Sequence, residues 1–340
     1  MKVVTFGEIM LRLAPNGFLR FSQMGEQLQA TFGGAEANVA VCLANYGMEA
    51  SFVSRLPTHA IGQCALNEVR KYGVDTAHIV RGGDRVGIYY LEKGASQRGS
   101  TVVYDRANSA ICTAKREDFD WKTIFQGANW FHFSGITPAL NETVASICLD
   151  ALKEAKAQNL TVSCDLNYRQ KLWETEKAGA TMRPLMQYVD VCIANGLDAN
   201  NVFSIKAENT DMVTGWIPRE GYVGIAKELC RQFGFKKVAT TFRTALSASE
   251  NKLAGMFYDD GEITYSKEYH LHLVDRVGGG DSFVAGLIYA LQSGFDQQKT
   301  VDFAVASSVL KHAIEGDFNR VTKNEVLSLV GGDASGRILR

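Results

Sequence analysis

Residues 275–281 read Asp-Arg-Val-Gly-Gly-Gly-Asp and carry the strongest signal for chemistry in this chain. Glycines that open a helix leave backbone N–H groups unpaired at the positive end of the helix dipole, which suits them to bind phosphate. A carboxylate beside a phosphate repels it. Its presence there therefore indicates another role, such as taking a proton from an attacking hydroxyl. The sequence therefore predicts a phosphate-binding loop at Gly278, Gly279 and Gly280, with Asp281 as a general base. A tight turn with Asp281 as a helix N-cap is the alternative.

Further glycines and polar residues follow other predicted strands, and ligands of a parallel sheet collect at the carboxyl ends of its strands. These positions are Gly33, Gly34, Asn167, Arg169 and Asn195. Two common phosphate motifs are absent from the sequence. There is no G-x-x-x-x-G-K-[ST], which excludes a Walker-type NTPase, and no G-x-G-x-x-G after the first strand, which argues against a dinucleotide fold.

Strands alternate with helices along most of the chain, which predicts an α/β fold with a mainly parallel sheet and helices on both faces. Residues 11–32 and 86–113 instead show period-two alternation, including strands predicted at 11–13, 18–21 and 28–32. Each block alone is short, so we expect the two to pair as a small antiparallel sheet. The predicted α/β core is then residues 1–10, 33–85 and 114–340.

The composition excludes several classes of partner. With 36 basic and 37 acidic residues, the chain has no charge excess that would favour nucleic acid or an anionic membrane. Its seven cysteines form no C-x-x-C pair and its six histidines no metal-ligand spacing, which favours a reducing compartment and no zinc site. The N-terminus does not resemble a signal peptide, and no apolar run approaches a membrane span. We expect a cytoplasmic protein.

Two motifs together resemble the ribokinase (PfkB) family of sugar kinases. That family has an early Gly-Gly…Asn motif, matched by Gly33-Gly34-Ala35-Glu36-Ala37-Asn38, and a late D-T-x-G-A-G-D, matched by residues 275–281. The resemblance covers nearly the whole chain. Within the family, residues 133–140 and 165–173 are most similar to kinases of 2-keto-3-deoxygluconate, with residues 104–106 in support.

The resemblance implies a ribokinase-like fold, ATP and Mg²⁺ as cofactors, and phosphorylation of the C6 hydroxyl of 2-keto-3-deoxygluconate, giving 2-keto-3-deoxy-6-phosphogluconate. Asp281 would take the hydroxyl proton and the glycine amides would hold the growing charge. The substrate carboxylate invites arginine, for which Arg169 and Arg106 are candidates. The alternatives are surface ion pairs for the two arginines, lid packing for Tyr89 and Tyr104, and loop capping for Asp317. The implied substrate-binding residues are Gly33, Gly34, Asn38, Tyr89, Tyr104, Arg106, Arg169, Asp281 and Asp317.

On the nucleotide side the sequence departs from the family pattern. The family's N-x-x-E, which organises Mg²⁺ through water, reads Asn195-Gly196-Leu197-Asp198, so Asn195 and Asp198 are the metal candidates. The family's glycine-rich nucleotide loop is replaced by residues 240–245. We expect the adenine pocket near residues 304–308. The implied nucleotide-binding residues are Asn167, Arg169, Asn195, Thr241, Arg243, Gly278 and Gly280.

The small sheet is expected to act as a lid, because transfer to water must be prevented until the sugar is bound. Lids of this family also pair between subunits, so the resemblance implies a homodimer. Three alternatives remain at this point. They are another sugar kinase of the family (a fructokinase or a kinase of an epimeric keto-deoxy acid), a non-catalytic sugar-binding regulator, and a nicotinamide oxidoreductase, although its fingerprint is missing.

Overall fold

The structure is a computed structural model that describes residues 1–25, 27–207 and 218–333. These residues contain fourteen strands. In chain order they are β1 (Lys2–Phe6), β2 (Met10–Ala14), β3 (Gln29–Gly33), β4 (Glu49–Leu56), β5 (Ile79–Arg81), β6 (Ile88–Glu92), β7 (Thr101–Asp105), β8 (Ala128–Ser134), β9 (Thr161–Asp165), β10 (Val191–Ile193), β11 (Lys237–Ala245), β12 (Glu250–Asp259), β13 (Glu262–Tyr265) and β14 (Tyr269–His272).

Helices separate most of these strands. Within the same residues they are α1 (Ala35–Asn45), α2 (Ala60–Arg70), α3 (Trp121–Ile124), α4 (Ile136–Ala139), α5 (Glu142–Ala157), α6 (Thr175–Met186), α7 (Gly196–Phe203), α8 (Arg219–Phe233), α9 (Gly279–Gln292), α10 (Gln297–Lys311) and α11 (Lys323–Val330). None of the helices in the described ranges combines the length and apolar character needed to span a bilayer.

The large sheet has the strand order β13-β12-β11-β10-β9-β8-β1-β4-β5, with β14 paired to β12. The strands from β11 to β5 run parallel to one another, and β12 is antiparallel to its three neighbours. This confirms the predicted mainly parallel sheet. In the sheet, β4 and β5 lie on one side of β1, and β8, which comes later in the chain, lies on its other side. A crevice therefore opens at the carboxyl ends of β1 and β8, where such sheets bind ligands.

The second sheet has four strands in the order β3-β2-β6-β7. The two amphipathic blocks therefore pair with each other, as predicted. The β2–β3 and β6–β7 pairs are antiparallel, but β2 and β6 are parallel. The predicted antiparallel pairing is confirmed at two of the three pairs and is wrong at β2–β6, because α1, β4, α2 and β5 lie between the two blocks. A long crossover lets β6 enter in the same direction as β2, which a hairpin does not.

Each face of the large sheet has its own apolar core. Leu152 of α5 and Met182 of α6 belong to the core on one face, together with side chains of α3, α7 and α8. Leu287 of α9 and Phe303 of α10 belong to the core on the other face, with α1, α2 and α11. The prediction of helices on both faces is confirmed.

Helix α9 is apolar around nearly its whole circumference and packs between α1 and α10. Phe283, Leu287 and Ile288 are almost fully buried. A helix buried on all sides is held by packing from every direction, not by one amphipathic face. Gly286 permits close approach of α10, since a Cβ there would lie 2.9 Å from the Cα of Ala304. The first turn of α9, which carries Asp281, is therefore fixed by a rigid scaffold.

One local prediction differs from the structure, and some short elements were not predicted. The strand predicted at 18–21 is wrong, because these residues form an irregular segment that ends in a short 3₁₀ turn, Phe21–Gln23. Phe18 lines the cleft, and Phe21 donates its backbone N–H to Glu92 and not to a neighbouring strand. Strand β5 was not predicted because it has three residues, and α7 was not predicted because its polar sequence lacks a clear apolar face.

Candidate active site

A cleft of about 1280 Å³ lies at the carboxyl ends of the parallel strands, between the large sheet and the small one. It exceeds the usual volume of a single small-molecule pocket, so it has room for two ligands. Residues from the early and the late glycine motif both line it. The predicted site residues in its lining are Gly33, Gly34, Asn38, Tyr89, Tyr104, Arg106, Asn167, Arg169, Asn195, Asp198, Thr241, Arg243, Gly278, Gly280, Asp281 and Asp317.

Gly279 is the predicted site residue that does not line the cleft. A Cβ on Gly279 would lie 2.5 Å from the ring of His312, and its N–H donates to the Arg276 carbonyl at 3.3 Å. Its amide is therefore engaged in the turn, which corrects the expectation that all three glycine amides face the phosphoryl group. The N–H groups of Gly280 and Asp281 belong to the first turn of α9, where helical N–H groups have no intrahelical partner.

Gly278 is the residue that lets the loop turn into α9. Its φ of 80° lies in the left-handed region, and a Cβ there would come within 2.0 Å of the Asp317 carbonyl oxygen. A side chain would therefore be strained by the backbone conformation and would collide with main-chain atoms. The loop can adopt this path only with glycine at 278.

We expect Gly278→Ala to lower the free energy of unfolding by at least about 2 kcal/mol, because it adds left-handed strain to a backbone clash. Urea unfolding measures the change. Gly280→Ala is the matched control, since a Cβ there meets nothing within 4 Å. Its free energy of unfolding should stay within about 1 kcal/mol of the native value. Equal losses in both variants would contradict the assignment of the strained position.

Asp281 lies in the first turn of α9, half-buried and facing the cleft. Its Oδ2 accepts a hydrogen bond from Asn38 Nδ2 at 2.6 Å. Burial raises the pKa of Asp281 to about 6, and the nearby carboxylate of Glu36 adds to the rise, whereas Asn38 and Arg169 oppose it. A carboxylate with a pKa near neutrality in a cleft is suited to accept a proton.

The early motif places the N-terminus of α1 against Asp281. A Cβ on Gly34 would lie 1.9 Å from the Glu8 carbonyl oxygen, and one on Gly33 would lie 2.0 Å from Asp317 Oδ2, so both positions require glycine. Asn38 accepts the N–H of Gly34 through Oδ1 at 3.2 Å while its amide nitrogen donates to Asp281. The two glycine motifs, about 240 residues apart in sequence, therefore meet through one side-chain hydrogen bond.

Sequence analysis missed a buried charge network centred on Arg12 of β2. Arg12 Nη1 donates to Asp317 Oδ1 at 2.9 Å, and Nη2 donates to Asp275 Oδ2 at 2.6 Å. Although burial alone would lower the pKa of Arg12, the two carboxylates raise it. Tyr89 donates its hydroxyl to Asp317 at 2.6–2.7 Å. The signal in the sequence was an arginine between Leu11 and Leu13 in a strand pattern.

Arg106 and Tyr104 also line the cleft, and the Tyr104 ring lies 6.2 Å from the ring of Tyr89. Arg106 is buried and donates Nε to Glu8 Oε2 at 2.9 Å, with a second hydrogen bond from Nη2 to the same oxygen. Its guanidinium carbon lies 5.6 Å from the centre of the Tyr104 ring. The structure therefore gives Arg106 an ion-pair partner, as in the alternative considered for the arginines, but the pair with Glu8 is buried and not on the surface. Tyr104 stacks beside it and lines the cleft.

Arg169 follows β9 and is exposed, as are Arg243 and Arg276 in the lining of the same cleft. Its Nη1 donates to the Tyr168 carbonyl at 3.1 Å, and its charge interacts with Asp281 and Asp198. Asn167, two residues earlier, has a φ of 39° and is buried against the cleft. Asparagine tolerates this left-handed conformation better than most residues. The turn at Asn167 therefore presents Arg169 to the open side of the cleft.

Asn195 and Asp198 begin helix α7. Asn195 caps the helix by accepting the N–H of Asp198 at 2.9 Å, and its Nδ2 donates to Asp198 Oδ2 at 2.6 Å. The other oxygen of Asp198 accepts the N–H of Tyr168 at 3.2 Å. Burial raises the pKa of Asp198 to about 6, and Arg169 opposes this rise. Burial also raises the pKa of Asp165, with further contributions from Asp198 and Asp281.

Thr241 and Arg243 lie on β11, which continues through residues 240–245 and pairs with β12. A regular strand therefore occupies residues 240–245, which replace the glycine-rich nucleotide loop of the family. The adenine pocket predicted near 304–308 is wrong for residues 304–307, since all four are fully buried in α10. Ser308 is the member of that segment that lines the cleft.

Comparison with known proteins agrees with this geometry. Residues 1–227 match the model of the pfkB family of carbohydrate kinases. A 2-dehydro-3-deoxygalactonokinase from Haloferax volcanii is 32% identical over 336 residues, 98% of each chain. A 2-dehydro-3-deoxygluconokinase from Bacillus subtilis is 25% identical and covers 96% of this chain and 94% of that protein. The crystal structure of a 2-dehydro-3-deoxygluconokinase from Thermotoga maritima is 52% identical, with a TM-score of 0.94 over 98% of this chain and 100% of that one. With both glycine motifs meeting in one cleft and full-length relatives of this kind, the chain belongs to the pfkB family of carbohydrate kinases.

Proposed function

We propose that this kinase phosphorylates the C6 hydroxyl of 2-keto-3-deoxygluconate with ATP and forms 2-keto-3-deoxy-6-phosphogluconate. The prefixes 2-keto and 2-dehydro denote the same substrate. The observation that carries the proposal is the carboxylate of Asp281 at the glycine-lined start of α9, in one cleft with Arg169. The names of the Thermotoga and Bacillus relatives support the choice of sugar acid.

In the proposed reaction, the C6 oxygen forms a bond to the γ-phosphorus as the bond from that phosphorus to ADP breaks. Asp281 accepts the hydroxyl proton, which makes the oxygen a better nucleophile. The N–H groups of Gly280 and Asp281, with Gly278 before them, face the charge that grows on the transferred group. Because α9 is packed on all sides, these groups are oriented before the reaction starts.

The rest of the cleft is proposed to hold the sugar acid. Arg169 would bind the carboxylate, because its guanidinium is exposed and only one of its nitrogens, Nη1, donates a hydrogen bond among the described residues. Asn38 keeps one N–H available beyond its bond to Asp281. We propose that Gly33, Gly34, Tyr89, Tyr104, Arg106 and Asp317 complete the sugar site, with Arg106 and Tyr89 acting from their bonds to Glu8 and Asp317.

Magnesium is proposed to accompany the nucleotide near Asn195 and Asp198. Asp165, Asp198 and Asp281 all face the cleft, and burial raises their pKa, so a divalent cation there would be favourable. Among the described residues, no three acidic, histidine or cysteine side chains converge to bind a metal directly. Mg²⁺ that keeps water ligands and the nucleotide phosphates fits such a site. When bound, it would neutralise phosphate charge.

The remaining nucleotide contacts are proposed at Asn167, Thr241 and Arg243. The side chain of Arg243 is exposed at the end of β11 and has no hydrogen-bond or ion-pair partner among the described residues. An exposed guanidinium that lines the cleft without a protein partner is available to an anionic ligand. We therefore assign Arg243 to the nucleotide phosphates, in the place where relatives with a glycine-rich loop would use backbone N–H groups.

The Haloferax relative is named for the galactonate form of the substrate, so the C4 epimer is the second candidate. ADP release by the purified protein should be measured with 2-keto-3-deoxygluconate, its C4 epimer, fructose and ribose. We expect the highest kcat/KM with a keto-deoxy acid. Preference for fructose or ribose would contradict the carboxylate assignment, and binding of sugar without ADP release would favour a non-catalytic regulator.

The pH dependence of kcat/KM should show an acidic limb near pH 6. Asp281 has to be ionised to accept a proton, and its pKa is raised to about 6, so activity falls as the pH drops through this value. Asp198 has a similar pKa. If the limb belongs to Asp281, the Asp198→Asn variant should have a lower kcat/KM but keep the acidic limb. A flat profile down to pH 5, with the fold intact by circular dichroism, would contradict Asp281 as the base.

The small sheet is proposed to be a lid and a dimer contact. Val103 on β7 is 49% exposed, and Phe18, in the segment that joins β2 to β3, is 52% exposed. Tyr90 on β6 and Phe21 in the same joining segment are partly covered. Exposed apolar side chains on a short sheet suit either closure over the cleft or pairing with a second copy. Sedimentation would report the predicted homodimer. The cytoplasmic location stays a prediction.

A further inference from the structure

Lys311 is a fully buried lysine at the last position of α10, and the proposed reaction does not use it. Its Nζ donates to the Ile314 carbonyl at 3.0 Å. Its Cε lies 3.3 Å from the point that a Cβ on Gly278 would occupy. The lysine side chain therefore ends directly behind the phosphate-binding loop. Burying an ammonium is costly, so it needs compensation from opposite charge.

The compensation comes from the network around Arg12. Lys311 interacts electrostatically with Asp275 and Asp317, and Arg12 binds the same two carboxylates. Burial lowers the pKa of Lys311 and Arg12 adds to the fall, whereas Asp275, Asp317 and, more weakly, Asp281 oppose it. With two cations and two carboxylates the cluster is balanced. Without Lys311 it would carry a net negative charge beneath the loop that receives a phosphoryl group.

The ammonium also lies where two turns meet. Asp275 and Val274 donate their N–H groups to the His312 carbonyl at 3.3 and 2.9 Å. Asp275 Oδ2 in turn accepts the N–H of Gly316 at 3.2 Å. The turn that precedes α9 is thus held by the turn that follows α10, and Lys311 donates to that second turn.

We propose that Lys311 is a positioning residue that acts as a fixed internal cation behind Gly278, holding the two turns together and offsetting Asp275 and Asp317 so that the loop favours the transferred phosphoryl group. This rests on the proposed kinase reaction. A purely structural role is the competing explanation, because a cation near a helix C-terminus stabilises the helix. A structural role predicts lower stability, but it does not predict that a free cation restores turnover.

The test uses Lys311→Met, which keeps most of the volume, and Lys311→Ala, which opens a cavity. Activity of the native enzyme with ATP and the sugar acid is measured first, and this result alone decides the proposed function. We expect Lys311→Met to lower kcat about 30–100-fold, as loss of one charge close to the reacting group in a partly desolvated site would do. The KM for the sugar acid should stay within about threefold, because Lys311 does not face it.

Lys311→Ala should show a similar loss, and propylammonium should restore kcat at least about tenfold, since it replaces the deleted Cγ, Cδ, Cε and Nζ. Two matched additives separate charge from volume. 1-Propanol has nearly the same shape without charge, and tetramethylammonium has charge without the shape, so neither should restore activity. Folding of both variants is checked by circular dichroism and thermal unfolding.

Three results would overturn the proposal. One is a folded Lys311→Met enzyme with kcat within threefold of native. Another is recovery of Lys311→Ala by 1-propanol as well as by propylammonium, or by neither. The third is failure of both variants to fold, which would assign Lys311 to stability alone. None of these results would affect the kinase assignment, because that depends on the native enzyme.

Discussion

Asp281→Asn is expected to lower kcat by about 10²–10⁴-fold while the dissociation constant for the sugar acid changes only severalfold. Asparagine keeps the size and the contact with Asn38 but cannot accept the proton from the C6 hydroxyl. The amides at the start of α9 stay in place, so substrate binding should survive. Steady-state assays of ADP release give kcat, and calorimetric titration gives the dissociation constant.

The control for this variant is Asp302→Asn. Asp302 is a buried carboxylate on α10 that accepts hydrogen bonds from Gln298 and from the Lys267 N–H, and it does not line the cleft. Its substitution should leave kcat within about twofold. If Asp281→Asn weakened binding as strongly as it slowed turnover, Asp281 would be a structural cap and the base would have to be sought elsewhere.

Arg169→Met is expected to reduce kcat/KM for the sugar acid by about 10²-fold, which corresponds to roughly 2.7 kcal/mol at 1.36 kcal/mol per tenfold. A paired hydrogen bond to a carboxylate in a partly desolvated cleft is worth about that much. Methionine keeps the apolar stem and removes the donors. Steady-state assays with the sugar acid varied at saturating ATP give the value.

Arg169 is also a candidate for the nucleotide, and the same variant separates the two roles. A rise confined to the KM for the sugar acid assigns Arg169 to the carboxylate, whereas a rise confined to the KM for ATP assigns it to the phosphates. Arg231→Met is the matched control, because Arg231 pairs with Glu228 on the surface of α8. If kcat/KM in Arg169→Met were unchanged both for the sugar acid and for ATP, both assignments would be contradicted.

Most of the fold could be predicted because its signals are local. Apolar runs such as β8 and β9 alternate with helices whose ends carry glycine or capping residues, and that order allows few topologies. The direction of β6 beside β2 could not be predicted, because strand patterns define faces and not partners. The strand predicted at 18–21 was wrong for a related reason, since an apolar side chain such as Phe18 can line a cleft without belonging to a strand.

The site was predictable where chemistry lies in short motifs, as in Gly33–Asn38 and residues 275–281. It was not predictable where distant residues meet. Arg12 is 263 residues from Asp275 and 305 from Asp317, and no local pattern joins them. Lys311 was missed for the same reason. Charged residues inside apolar stretches were the available signal, since a buried charge requires a partner.

The product of the reaction tests the central claim most directly. The purified enzyme should be incubated with ATP and 2-keto-3-deoxygluconate and the product analysed by ³¹P–¹H correlation NMR. The account predicts a phosphate ester coupled to the two C6 protons, with one ADP formed per ester. A phosphate on any other carbon, or ADP formed without an ester, would contradict a C6 hydroxyl activated by Asp281.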